Sequence, residues 1–107
     1  MMGEINEKIE ALINANKVVL FMKGTPEAPQ CGYSAHAVAV LRAHKCDFLG
    51  VDVLAYPDLR SGLKVYSDWP TFPQLYVNSD FQGGVDIMLE MHQDQSLSAV
   101  LSTAVSS

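Results

Sequence analysis

Residues 23–34 read KGTPEAPQCGYS, and Cys31 is the residue in that stretch that can do chemistry. A thiolate, not a thiol, is the nucleophile and the metal ligand, and a free cysteine has a pKa of about 8.5. Cys31 follows two prolines and precedes SAHAVAVLRAH (34–44), an Ala-rich, helix-favouring run. That places it at a helix N-terminus, where unpaired N–H groups and the macrodipole favour an anion. Lys23, at the end of the preceding apolar run, adds a positive charge. Three residues after Cys31, where a dithiol motif would hold its second cysteine, stands Ser34. Cys46, the only other cysteine, sits beside Phe48 at the entrance of a predicted strand and reads as a core residue.

Two further stretches carry weaker signals. In WPTFPQ (69–74) an X-Pro bond ahead of a strand can be cis, and Pro73 withholds its N–H from a ladder. A cis Phe72–Pro73 bond would leave the Phe72 backbone free to receive an extended peptide as an added strand. Trp69 is expected to pack beneath such a groove. In GGVD (83–86) two glycines permit close backbone approach, and Asp86 is expected to cap a helix whose N–H groups can hold a carboxylate.

The elements that must position these residues alternate along the chain. Ile5, Ile9, Leu12 and Ile13 recur at helical spacing, with Asn16 as the stop. VVLFM (18–22) is fully apolar and β-branched, as a strand covered on both faces should be. DFLGVDV (47–53) gives a second strand, parallel to the first by the right-handed crossover rule. Pro57 opens a helix over 57–66 with Leu59, Leu63 and Tyr66 inward. PQLYV (73–77), Asn78-Ser79-Asp80 and FQGG (81–84) read as an antiparallel hairpin. A helix with Ile87, Met88 and Met91 follows, then one capped by Ser96 with Leu97, Val100 and Leu101. The order α-β-α-β-α-β-β-α-α predicts an α/β domain over 1–107: a four-stranded mixed sheet flanked by helices on both faces, the thioredoxin-like fold.

Composition narrows the function classes. At 107 residues the chain is expected to form one domain, and 49% hydrophobic with 18% charged residues is globular. A formal charge of −5 without a Lys/Arg cluster argues against nucleic-acid binding. No apolar run reaches the roughly 18 residues of a membrane span, and the N-terminus MMGEINEKIE resembles neither a signal nor a transit peptide. Two cysteines make no disulfide framework and favour a reducing compartment, with cytoplasm or mitochondrial matrix expected. His36 and His44 lie about 12 Å apart along one helix, too far to share a metal, and His92 is on another element.

Together KGTPEAPQCGYS, WPTFPQLYV and GGVDI resemble the monothiol glutaredoxins with a C-G-F-S active site, and the resemblance runs from about residue 5 to residue 103. It implies a glutathione groove made of Lys23, Cys31, Tyr33, Arg60, Phe72, Gly84, Val85 and Asp86. Lys23 and Arg60 would face the glycine carboxylate and Phe72 the cysteinyl backbone. Val85 and Asp86 would hold the γ-glutamyl end. Two positions depart from the pattern: Tyr33 replaces the usual Phe, and Val85 stands where many members have a second cysteine.

A [2Fe–2S] cluster needs four ligands, commonly thiolates, and one chain offers Cys31. Two chains and two glutathiones complete the set, so the resemblance implies a cluster-bridged homodimer acting in iron–sulfur cluster transfer or iron homeostasis, with acceptor apoproteins as partners. The alternative is glutathione-dependent thiol–disulfide exchange, deglutathionylation by a monothiol mechanism. The TPEAP loop between Lys23 and Cys31 is the feature expected to decide between them.

Overall fold

The computed structural model describes residues 2–105, with side chains described for residues 3–102. Its elements are α1 (Met2–Ala15), β1 (Val18–Met22), α2 (Gly32–Ala43), β2 (Leu49–Asp52), α3 (Pro57–Ser67), β3 (Gln74–Val77), β4 (Asp80–Gly83), α4 (Val85–Gln93) and α5 (Ser96–Val105). The sheet order is β2-β1-β3-β4. β1 runs parallel to β2 and antiparallel to β3, and β3 is antiparallel to β4. This is the thioredoxin-like arrangement that the element order predicts.

The period of two in β1 divides the core between the faces of the sheet. Val18, Leu20 and Met22 join Leu75 and Val77 against α2, α4 and α5. Val19 and Phe21 join Tyr76 on the other face against α1 and α3, where Ile9, Ile13, Leu59 and Leu63 point inward. All five β1 side chains are buried, as the unbroken apolar run requires. Each such burial contributes about 1.5–3 kcal/mol. β2, at the edge, is only half-buried.

Several boundaries differ from the sequence reading. α2 starts at Gly32, two residues earlier than the Ala-rich run, because Cys31 itself takes the extended N-cap conformation. β2 is shorter than 47–53, since only Leu49–Asp52 find partners on β1. The hairpin turn is two residues, Asn78 and Ser79, both left-handed, which matches the twist of the strands. Asp86 is not the cap of α4: Gly84 is, and Asp86 lies exposed in the first turn. Likewise the Asp94 carboxylate, not the Ser96 side chain, caps α5, accepting from the Ser96 N–H at 2.8 Å and its hydroxyl at 2.6 Å. Asn16 ends α1 by donating its amide to the Leu12 carbonyl.

Candidate thiol site

β1 delivers Lys23 to the C-terminal edge of the sheet, and the next seven residues return the chain to the start of α2. That return is built from backbone. Gln30 N–H donates to the Lys23 carbonyl at 2.9 Å, and Thr25 and Ala28 bond each other's backbones. The Asp52 carboxylate, at the end of β2, accepts from the N–H of Gly24 at 2.9 Å. Gly24 has φ +91°, and a Cβ there would stand 2.6 Å from the Ala28 oxygen and the Gln30 nitrogen. No other residue fits. Pro26 lies against Gly50 of β2 so closely that a side chain at 50 would overlap its ring. The TPEAP loop is therefore an ordered wall.

Cys31 is partly exposed at the N-cap of α2. The backbone N–H of Ser34 is the strongest influence holding its thiol below the ordinary value of 9.0, with the Tyr33 N–H and the Lys23 charge acting in the same direction and burial opposing them. Ser34 is wholly buried, and its hydroxyl accepts from the Lys23 N–H at 3.0 Å. The residue in the place of a second thiol therefore ties the end of β1 to the start of α2. Cys46 lies past the other end of α2, about 18 Å away by the helical rise over twelve residues. The two sulfurs cannot be bridged.

The Phe72–Pro73 bond is cis. β3 begins only at Gln74, so the Phe72 backbone lies outside the ladder, while its side chain is buried on the α1/α3 side. Gln74, also wholly buried, donates its amide to the carbonyls of Trp69 and Thr71 and so fixes the 69–73 segment. Trp69 stacks edge-on against Phe81, with centroids 5.6 Å apart. Its Nε1 lies 3.1 Å from where a Cβ on Gly84 would be, so Gly84 is where backbone, indole and the Pro73 carbonyl converge.

One cleft of about 400 Å³ is lined by all eight residues of the expected groove: Lys23, Cys31 and Tyr33 from the β1–α2 side, Arg60 from α3, Phe72, and Gly84–Val85–Asp86 at the start of α4. Val85 is buried, its side chain packed in the core beneath the cleft. Tyr33 is 64% exposed, so its extra hydroxyl leaves the packing unchanged. The cleft also takes in Lys64, one turn beyond Arg60 on α3, which the sequence reading missed although the i, i+4 spacing was there to find. Two donors at the cleft, Arg60 Nε and Trp69 Nε1, are buried without an acceptor. Three basic side chains and the Asp86 carboxyl group thus line a hollow that opens on the Cys31 thiol. A larger hollow, about 530 Å³, opens around Lys17, Lys45 and Cys46. Burial pushes the Cys46 thiol up, with the Asp47 charge adding to it, the reverse of the shift at Cys31.

Fold and site together define a thiol protein of the thioredoxin-like class. A family model described as Glutaredoxin matches residues 18–82. The Synechocystis protein named "Uncharacterized monothiol glutaredoxin ycf64-like" is 47% identical over 107 residues, 100% of both chains. "Probable monothiol glutaredoxin GrlA" of Legionella pneumophila is 54% identical over 87 residues, covering 81% of this chain and 98% of that one. "Monothiol glutaredoxin-4" of Schizosaccharomyces pombe is 47% identical over 99 residues, but this chain spans only 41% of its length. The solution structure of reduced poplar apo GrxS14 superposes with a TM-score of 0.84 at 42% identity, covering 96% and 94% of the two chains. The chain belongs to the glutaredoxin family, among its monothiol members.

Proposed function

We propose that the protein binds glutathione in the Cys31 cleft and, as a homodimer, carries a [2Fe–2S] cluster as cargo for acceptor apoproteins in a reducing compartment. The observation that carries this reading is the isolation of Cys31. Ser34 is buried in the place of a resolving thiol, Val85 is a buried hydrocarbon, and Cys46 is at the far end of α2. Any second sulfur must come from outside the chain.

The charges suit a tripeptide clamped at both ends. Lys23 and Arg60 would take the glycine carboxylate, the Arg60 Nε gaining the acceptor it lacks. The Phe72 backbone would pair with the cysteinyl residue. The N–H groups at the start of α4 would receive the γ-glutamyl carboxylate and Asp86 its ammonium, with Gly84 allowing the approach and Tyr33 forming a wall. Among the described residues no three His, Cys, Asp or Glu side chains group to hold a metal. A four-ligand cluster therefore fits only if two chains give one thiolate each and two glutathiones give the rest. Anaerobic reconstitution with glutathione, iron and sulfide is expected to yield a coloured dimer, and the Cys31→Ser chain a colourless monomer. A full cluster on Cys31→Ser would overturn the reading.

The half-exposed, acid-shifted thiol also supports a second reading. The Cys31 thiolate attacks the glutathione sulfur of a mixed disulfide, and the substrate leaves as its thiolate. A second glutathione thiolate then attacks the Cys31-bound sulfur, giving oxidised glutathione and free Cys31. Brisk steady-state turnover of a small mixed disulfide would favour the enzyme, and near silence the carrier.

A further inference from the structure

At the far end of the two helices that build the thiol site, His44 and His92 meet. His44 is the C-cap of α2 and His92 lies in the last turn of α4. His44 Nε2 is 2.9 Å from His92 Nδ1, and the rings stand edge to face at 77° with centroids 5.0 Å apart. The residues are 48 apart in sequence, brought together because α4 packs on α2.

We propose that His44 and His92 form a second metal site, separate from Cys31, that chelates a divalent first-row ion of the imidazole-binding class, Ni(II), Cu(II) or Zn(II). Two imidazole nitrogens each about 2.0–2.1 Å from one ion lie roughly 3 Å apart, and the observed separation, that of a hydrogen bond, already brings both rings within reach of a shared ion. Imidazole suits these ions, and their affinities stand high in the divalent series.

Both rings reach the surface, so they can turn from facing each other to facing a common ion. In the metal-free pair one ring nitrogen donates and the other accepts. On chelation the donor ring moves its proton to its other nitrogen, so two neutral rings release no net proton. Cys46, two residues beyond His44, turns its thiol to the Asp47 carbonyl, leaving the histidines as the ligands. Because α2 and α4 carry Cys31 and Asp86 at their opposite ends, an ion here staples the two helices that form the cleft.

The test uses the full chain as Cys31→Ser, which removes the reactive thiol and keeps this outcome independent of cluster binding. Calorimetric titration with Ni(II) is expected to show one ion per chain, with a rise in thermal midpoint. Loss of a mere outer-shell partner costs about 10–100-fold in metal affinity, so adding His44→Gln or His92→Gln should weaken binding at least that much. His36→Gln, an exposed change elsewhere on α2, should not alter it. No Ni(II) uptake, or affinity unchanged by either His44→Gln or His92→Gln, overturns the proposal. Should a variant fail to fold, ring-nitrogen resonances of the intact pair on addition of diamagnetic Zn(II) decide instead: both rings must shift, and a shift of one or neither overturns it.

Discussion

Helix α2 carries a cysteine at each end, and the two are opposites. Cys31 sits at the amino end, where the N–H groups of Ser34 and Tyr33 are aimed at its sulfur and Lys23 is near. Cys46 lies beyond the carboxyl end, 7% exposed, its thiol donating to the Asp47 carbonyl at 3.4 Å. The first thiol is pushed down and the second up. At Cys31 the free N–H groups of the helix start favour a thiolate. At Cys46 burial is the main cause, since a buried thiolate has no water to solvate it, and the Asp47 charge adds to it. Reactivity in this chain belongs to the position and not to the residue type.

The largest effect should come from removing one thiol at a time. Cys31→Ser is expected to abolish both glutathione-dependent turnover and cluster capture. Cys46→Ala should preserve both and cost only about 1 kcal/mol of stability, the ordinary scale for a small buried side chain. Loss of cluster capture in a folded Cys46→Ala chain, read from its absorption spectrum, would break the comparison.

Much of this contrast is legible in the sequence. Prolines followed by a cysteine and an Ala-rich run place Cys31 at a helix start, and one strand of unbroken apolar residues demands helices on both faces. All eight expected groove residues do meet in one cleft. What is not legible lies in side chains that act over long sequence distances. Ser34 reads as an absent cysteine, and nothing local shows that its hydroxyl holds the Lys23 backbone. Gln74 reads as one more strand residue, yet it fixes the Trp69–Pro73 segment. His92 was set apart from His44 because sequence spacing describes one helix at a time, whereas their meeting depends on how α4 packs on α2. Asp86 carries the usual cap chemistry, but the crowding of Trp69 and Pro73 around residue 84 gives the cap to glycine.

The pH dependence should sharpen the comparison with a smaller signal. In the folded chain, alkylation of Cys31 is expected to reach half its maximal rate at a lower pH than in denaturant, while Cys46 stays unreacted; in denaturant both should titrate together near the free value of about 8.5. The stability effects have opposite signs. A lowered folded pKa at Cys31 contributes stability above the unfolded value that is lost as pH falls through the folded one. A raised folded pKa at Cys46 leaves full stability below the unfolded value and loses it as pH rises beyond. Between pH 8 and 10, Cys46→Ala should therefore lose less stability than the parent in denaturant melts. Equal losses would mean that Cys46 is not shielded as its burial requires.

The finest test separates the serine's structural part from its part in tuning the thiol. Ser34→Ala removes the acceptor for the Lys23 N–H and leaves that backbone donor buried without a partner, at a cost of about 1–3 kcal/mol. It also removes the hydroxyl that helps to lower the Cys31 pKa. The main N–H contributions to the thiolate survive, because they come from backbone that alanine also supplies. Urea melts should therefore register the change clearly, while the midpoint of the Cys31 alkylation profile moves up by much less than it would if helix polarity were lost. A midpoint returned to that of the denatured chain in a folded Ser34→Ala protein would show that the hydroxyl, and not the amino end of α2, makes the difference between the two cysteines.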